Sequence, residues 1–181
     1  MGQPKQLLLI NNEPMVRHVT EVVVASGLDQ VIVVTGAQAR AVEAALTGLP
    51  VELVRNESWS EGMSSSMRSG LRALSSEAQA VLIVLGDQPG LSAALLQSLV
   101  ARYRATRAPI VAPVYRGRRG NPVIFDRALF PELLAVQGDR GGRALVVRSQ
   151  ERVERVEVDD PAVIMDIDSP QDYDGLLGAT G

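Results

Sequence analysis

The chain has 181 residues, of which 46% are hydrophobic and only 3% aromatic, so aliphatic side chains must fill the core of one predicted domain, residues 1–181. The formal net charge of −3 argues against nucleic acid or an anionic membrane as the main partner. The absence of cysteine excludes disulfides and thiolate chemistry, and a single histidine disfavours a zinc site. No signal peptide or membrane-spanning apolar run is evident, so we expect a cytoplasmic protein.

Short apolar runs alternate with segments of helical periodicity in the N-terminal half of the chain. The first helix is predicted to begin near Pro14, with Asn12 as its cap, and to end at Gly27. The following elements are predicted as a strand at 31–34, a helix at 37–46, a strand at 51–54 and a helix at 62–74.

The run 81–85 is apolar throughout, which predicts a strand buried on both faces in the middle of a parallel sheet. Ser92 is predicted to cap the next helix. The later elements are predicted as strands at 110–112 and 123–125, two short helices separated by 138–142, strands at 153–158 and 163–167, and a final helix from Ser169-Pro170. This alternation predicts an α/β fold with an open, mostly parallel Rossmann-like sheet and helices on both faces.

The chain opens with Lys5-Gln6-Leu7-Leu8-Leu9 and enters its first helix without a preceding strand. In doubly wound domains the first strand normally lies in the middle of the sheet and leads into a phosphate-binding loop. We therefore expect the neighbouring strands to have unpaired edges and uncovered apolar surface.

Two acidic segments follow predicted strands. Asp87 lies in Gly86-Asp87-Gln88-Pro89, at the carboxyl end of the strand at 81–85, where open α/β sheets bind ligands and a carboxylate can hold Mg²⁺. Gly, Asp and Pro also favour an ordinary turn. Asp166 and Asp168 lie at the end of the last predicted strand, on the same side of it, and could share a cation with Asp87. Alternatively, Asp168 or Ser169 could simply cap the final helix.

Three further segments have a functional and a structural interpretation. The segment 56–68 contains the only Trp, Trp59, and a serine-rich helix start that could attract anions, or Trp59 could fill the core. The basic turn 116–121 could bind a phosphate, although a solvated hairpin tip is more common. The loop 138–142 could contact a ligand or simply connect two helices. His18 is interpreted as structural or exposed.

These motifs, in this order, resemble those of the MobA-like NTP transferases, and most closely the molybdenum-cofactor cytidylyltransferases. The chain start is similar to the end of the signature Leu-Ala-Ala-Gly-x-Ser-x-Arg-Met-Gly-x-x-Lys. The other similar segments are Asn56…Trp59…Gly62-Met63…Ser66…Arg68…Gly70; the metal motif Leu85-Gly86-Asp87-Gln88-Pro89; Gly117-Arg118-Arg119-Gly120-Asn121-Pro122; Gly138-Asp139-Arg140-Gly141; and Asp166-Ile167-Asp168-Ser169-Pro170-Gln171-Asp172.

The resemblance implies a nucleotide-diphospho-sugar-transferase-like fold and a Mg²⁺-dependent transfer of CMP from CTP to the phosphate of molybdopterin. It implies that Asp87, Asp168 and Asp166 hold the metal and that Lys5 and Asp87 act in catalysis. Nucleotide or cofactor binding is implied for Gly2, Lys5, Asn56, Trp59, Gly62, Met63, Ser66, Arg119, Asn121 and Asp139. The implied partners are CTP or another NTP, a molybdopterin-type cofactor and a molybdenum hydroxylase client.

The sequence departs from the family pattern at two places. Asn121 stands where the family usually has His, and the family's first strand and Gly-rich loop have no counterpart in the sequence. We expect Met1 to be the internal methionine of the signature, and a chain without that loop to bind CTP weakly and to show little turnover. Two alternatives are a guanylyl- or sugar-phosphate nucleotidyltransferase and a non-catalytic carrier of molybdenum cofactor.

Overall fold

The computed structural model describes residues 4–167 and 171–173. Near the start, strands β1 (Leu9–Ile10) and β2 (Glu13–Pro14) form an antiparallel hairpin. Its two turn residues, Asn11 and Asn12, both have positive φ, which is the backbone of a two-residue hairpin turn. Asn12 is therefore a turn residue, and its predicted role as a helix cap is wrong. Helix α1 (Met15–Ala25) begins directly after β2.

The next four elements form a parallel strand pair with its helices. Strands β3 (Ile32–Thr35) and β4 (Glu52–Arg55) pair in parallel, with Ile32 opposite Glu52, and helix α2 (Ala39–Ala45) connects them. Helix α3 (Met63–Ala73) follows β4. The predicted elements at 31–34, 37–46, 51–54 and 62–74 are thus all confirmed, with shifts of one or two residues at their ends.

The remaining strands form a second sheet in which β8 lies between β5 and β6, while β7 and β9 also pair with β6. Strands β5, β6 and β9 run in one direction, and β7 and β8 run against them. The elements are β5 (Ala80–Ile83), α4 (Ala93–Thr106), β6 (Ile110–Tyr115), β7 (Arg118–Arg119), β8 (Val123–Asp126), α5 (Phe130–Leu134), α6 (Arg143–Arg148) and β9 (Val153–Glu157).

Helices cover both faces of this sheet, as the sequence predicted. On one face Leu99 and Tyr103 of α4 pack against Val111 and Ile124. Ser92 caps α4, since its hydroxyl oxygen accepts a hydrogen bond from the backbone N–H of Leu95 at 3.2 Å. The other face is covered by α3, α5 and α6. Their side chains Leu71, Leu133, Leu145 and Val146 pack in one core cluster with the sheet residues Ile110, Ala112 and Phe125.

A cavity of about 1220 Å³ separates β3 from β5, and its lining includes Val33, Val34, Val81 and Ile83. Within the described residues β3 pairs only with β4, and β5 only with β8. Both faces of strand β5 are covered, as predicted, because Val81 and Ile83 pack against one core cluster and Ala80 and Leu82 against another. Its residues are only half-buried because its edge towards the cavity is open. The predicted parallel surroundings are wrong, since its only described partner, β8, is antiparallel. The open edge and the apolar cavity lining agree with the expected unpaired edges and uncovered apolar surface.

The predicted strand at 163–167 is also wrong. Pro161–Ile164 form a 3₁₀ turn, since proline is compatible with a helix start and the Asp160 carboxylate accepts the Ala162 N–H at 2.9 Å. The helix predicted from Ser169-Pro170 starts outside the described residues. None of the helices that the structure describes is long and apolar enough to cross a membrane.

Candidate active site

The loop after β5 contains Asp87, and the segment 166–167 lies against it. The backbone N–H of Ile167 donates to the backbone oxygen of Asp87 at 3.0 Å. The Gln88 side chain, which is only 1% exposed, donates from Nε2 to Asp166 Oδ1 at 2.6 Å. Two of the three predicted metal ligands, Asp87 and Asp166, therefore belong to neighbouring segments. Asp168 lies outside the described residues, so its contribution stays a prediction.

The donor atoms in this loop suit a hard divalent cation. Besides the carboxylates of Asp87 and Asp166, the Gln88 carbonyl oxygen Oε1 is buried and has no hydrogen-bond partner in the described part of the chain. Carboxylate and amide oxygens are the ligands that such cations prefer, usually together with substrate phosphates. The described residues contain no cluster of three acidic or histidine side chains that could hold a metal without further ligands.

His18 supports this loop from helix α1. Its ring nitrogen Nε2 lies 3.1 Å from the carbonyl oxygen of Pro89, so that nitrogen carries the proton and donates. The residue is partly buried at this contact. The structural interpretation of His18 is therefore supported, with the added point that it anchors the loop containing Asp87.

Lys5 belongs to a 3₁₀ turn, Lys5–Leu7, at the start of the described chain. The neighbouring Gln6 lies so close to the loop after β5 that a methyl group on Gly86 would be 3.9 Å from Gln6 Cγ. The turn that carries Lys5 is thus next to the loop that carries Asp87. Its catalytic role stays a prediction, and Gly2 lies outside the described residues.

Asn56 positions the serine-rich start of α3. The residue is buried, and its Nδ2 donates to the hydroxyls of Ser65 at 2.8 Å and Ser66 at 3.0 Å. Its Oδ1 accepts the backbone N–H of Ser58 at 3.0 Å. The amide is therefore fully used inside the protein, and we interpret Asn56 as a positioning residue. The hydroxyl of Ser66, which lines the cavity, donates to no described group.

Trp59 and Met63 are each half exposed and line the cavity. The exposure of Trp59 excludes the interpretation of this residue as a core side chain. Gly36, at the end of β3, permits the Trp59 backbone to approach, because a methyl group on Gly36 would lie 2.6 Å from Trp59 Cβ. An exposed aromatic ring next to Ser66 is suited to contact a nucleotide base or a pterin.

Asp139 joins the loop 138–142 to the start of α3. Its Oδ1 accepts the backbone N–H of Met63 at 3.3 Å, an N–H that the helix itself leaves unpaired. Gly62 has a φ of 97°, and a methyl group there would lie 2.3 Å from Asp139 Oδ1. The segments 56–68 and 138–142, which are distant in sequence, therefore form one wall of the site.

We expect Gly62→Ala to destabilise the protein by about 1–3 kcal/mol more than Gly48→Ala, because only at position 62 does the methyl group collide with Asp139. Both glycines have positive φ, and a side chain at Gly48 would meet no atom within 4 Å. The control variant Gly48→Ala therefore has the backbone strain without the collision. Urea unfolding measures the difference, and equal losses would contradict the contact.

The turn between β6 and β8 packs against the segment that leads to Asp166. The Asn121 N–H donates to the Val163 carbonyl at 2.8 Å, and a methyl group on Gly120 would lie 2.1 Å from that same oxygen. Arg116, Arg118 and Arg119 are exposed, as expected of a hairpin tip. Although Arg119 is exposed as a residue, partial desolvation of its guanidinium group, followed by the charges of Arg143 and Arg155, lowers its pKa.

Comparison with known proteins identifies the family. A model of the MobA-like NTP transferase domain matches residues 1–154. The chain belongs to the MobA-like NTP transferase family. It is accordingly a nucleotidyltransferase, and the α/β fold agrees with that of solved nucleotidyltransferase structures.

Three similar proteins illustrate the range of this family. Nicotine blue oxidoreductase of Paenarthrobacter nicotinovorans is 31% identical over 96% of this chain and 88% of its own length. Rv0371c of Mycobacterium tuberculosis H37Rv, solved in complex with manganese, has a TM-score of 0.84 and 30% identity over 97% of this chain and 92% of its own. A nucleotidyl transferase of Methanothermobacter has a TM-score of 0.80 and 27% identity over 97% of this chain and 86% of its own.

The MobA-like domain also contains residues that the sequence did not single out. Gln88 holds Asp166 through a hydrogen bond and has a buried, unpartnered amide oxygen within the described residues, and Gly36 makes room for Trp59. A glutamine directly after Asp87 was a usable signal, because amides often orient carboxylates. The role of Gly36 could not be predicted from the sequence, since Trp59, which it contacts, is 23 residues further along the chain.

Proposed function

We propose that this transferase moves CMP from CTP to the phosphate of molybdopterin, with Mg²⁺ as the divalent ion. The observation that supports this proposal is the contact of the loop after β5 with the segment 166–167, through the backbone bond from Ile167 to Asp87 and the side-chain bond from Gln88 to Asp166. The manganese complex of Rv0371c supports a divalent metal. The product would be delivered to a molybdenum hydroxylase.

In this reaction an oxygen of the acceptor phosphate forms a bond to the α-phosphorus of CTP. The bond from that phosphorus to the bridging oxygen breaks, and pyrophosphate leaves with the electron pair. Bound Mg²⁺ supplies charge neutralisation to the phosphate oxygens. Catalysis of this kind is mainly positioning and electrostatics, and needs no covalent intermediate.

Different residues of the chain would bind the metal, the nucleotide and the acceptor. Asp87 and Asp166, together with Asp168, would hold the cation, and Gln88 fixes the orientation of Asp166. Lys5 would neutralise charge at the reacting phosphate. Trp59, Met63 and Ser66 would contact the nucleotide and the pterin, since they line one continuous cavity. The turn with Arg119 and Asn121 and the loop with Asp139 would receive the acceptor.

A nucleotide panel tests this proposal. CTP, GTP, ATP and UTP are each incubated with molybdopterin and Mg²⁺, and pyrophosphate release is measured. We expect release with CTP that depends on both molybdopterin and the metal. If pyrophosphate is released with GTP but not with CTP, the transferred group is GMP and not CMP. If pyrophosphate is released with a sugar phosphate but not with molybdopterin, the acceptor is a sugar phosphate.

The similarity to a protein named nicotine blue oxidoreductase favours one further candidate, an oxidoreductase. An oxidoreductase needs no cleavage of a nucleoside triphosphate. Oxidation of NADH or NADPH in the presence of an aromatic dye substrate, without Mg²⁺ or CTP, would therefore support this candidate over nucleotidyl transfer.

A further inference from the structure

Two arginines flank strand β6 on one face of the sheet. In the strand register Arg119 of β7 lies opposite Val114, and Arg155 of β9 lies opposite Ala112. Ala112 and Val114 are two residues apart on β6, so their side chains and those of their partners project from the same face. Arg118 lies opposite Tyr115 and therefore projects from the other face.

A third arginine comes from the helix that covers this face. Arg143 begins α6, whose Leu145 and Val146 pack in the same core cluster as Ala112. After desolvation, the charges of Arg143 and Arg155 help to lower the pKa of Arg119, so each of these two arginines lies close enough to repel Arg119.

These three arginines have no acidic partner among the described residues, whereas Arg55, Arg68 and Arg102 each form an ion pair. One carboxylate, that of Glu157, projects from the same face of β9, but it forms no ion pair with any of the three. Like charges that repel one another cost stability. A cluster of this kind is stabilised when a multiply charged anion binds to it.

The cluster lies at the same edge of the sheet as Asp87. Strands β5 and β6 run in the same direction with β8 between them, and Leu82 and Val111, which both pair with Ile124, are about 10 Å apart. Asp87 follows the end of β5, and Arg119 follows the end of β6. An anion bound by the arginines would therefore lie beside the candidate metal loop.

We propose that Arg119, Arg143 and Arg155 form a binding site for the phosphate dianion of the acceptor substrate. Guanidinium groups recognise phosphate through paired N–H···O hydrogen bonds, and three of them can satisfy its oxygens from several sides. The assignment to the acceptor rests on the proposed transferase function. The existence of an anion site does not depend on it.

Calorimetric titration with inorganic phosphate, at low salt and without nucleotide or metal, tests the site directly. We expect Arg143→Gln and Arg155→Gln each to weaken phosphate binding roughly tenfold. Arg118→Gln is the matched control, because it removes the same charge from the same turn on the other face, and should leave binding within about twofold. Equal weakening in all three variants, or in none, would overturn the proposal.

Thermal unfolding separates loss of a ligand contact from loss of structure. Without phosphate, Arg143→Gln and Arg155→Gln should unfold at the same temperature as the unmodified protein or above it, because each relieves repulsion around Arg119. Added phosphate should raise the unfolding temperature of the unmodified protein more than that of either variant. A variant that is less stable without phosphate would indicate a structural role and contradict the site.

A second titration distinguishes the acceptor phosphate from the nucleotide. CTP with Mg²⁺ should bind the two variants as it binds the unmodified protein. Weakened CTP binding with unchanged phosphate binding would overturn the assignment to the acceptor. If phosphate binding depends on the arginines but no nucleotide is turned over, the anion site stands and the proposed transferase function fails.

Discussion

Replacing Asp87 with asparagine should lower kcat/KM for pyrophosphate release by about a thousandfold, which corresponds to the loss of several kcal/mol of transition-state stabilisation. Asparagine has nearly the same shape as aspartate but lacks the charge that a divalent cation requires. The backbone oxygen of Asp87 would still accept the Ile167 N–H, so the loop should keep its position. Steady-state assays across a range of Mg²⁺ concentrations measure the effect.

The matched control for this substitution is Asp159→Asn, which removes the same charge at an exposed residue after β9. It should leave kcat/KM within about twofold of the unmodified protein, because surface charges contribute little. If the Asp87→Asn protein retains its activity, or the control loses as much, the loop after β5 is not the catalytic centre. Asp87→Asn should also require more Mg²⁺ for half-maximal activity.

The order of the elements was readable from the sequence because hydrophobic periodicity is a local property. Val31–Val34 and Val81–Leu85 are apolar runs of strand length, and Ser92 is an ordinary helix cap. The predictions of secondary structure were wrong where non-local contacts or competing local preferences determine the backbone conformation. The predicted strand at 163–167 does not form because its first two residues belong to the 3₁₀ turn Pro161–Ile164, whose start Pro161 and Asp160 favour.

The candidate site was predicted in part for a similar reason. A carboxylate after a buried strand marks the carboxyl edge of a sheet, so Asp87 could be identified from one short motif. The contact of Asp139 with Met63 spans 76 residues, and the arginine cluster depends on strand register. Neither leaves a periodic signal in the sequence. Only the resemblance to the MobA-like family pointed to Asp139.

The cavity between β3 and β5 has a lining that suits a further strand. Its walls are mainly the aliphatic side chains of the two strands and of helices α1 and α3. Both strands leave the edges that border the cavity unpaired within the described residues. Pro4 and Gln6 line the cavity, so a segment joined to the start of the chain can enter it without a long connection.

An N-terminal extension consisting of a five-residue aliphatic strand and a Gly-rich loop should therefore raise the unfolding temperature by about 5–15 °C. For each of the five strand residues, side-chain burial contributes about 1.5–3 kcal/mol against about 1.5 kcal/mol for ordering the residue, and the loop adds no ordering cost until a nucleotide binds to it. A net gain of a few kcal/mol raises the unfolding temperature by about 2–4 °C per kcal/mol in a chain of this size. CTP binding should tighten at least about tenfold, because the loop's N–H groups can bind its phosphates.

A control extension of equal length, with lysine at alternate strand positions, should give neither effect because its charged side chains cannot be buried in an apolar cavity. The fluorescence of Trp59, the only tryptophan, reports on the same event from the cavity lining. Its emission should shift to shorter wavelength with the aliphatic strand alone. The cavity does not accept a strand if both extensions stabilise the protein equally or if the Trp59 emission does not change. In that case, any tighter CTP binding would have to come from the Gly-rich loop alone.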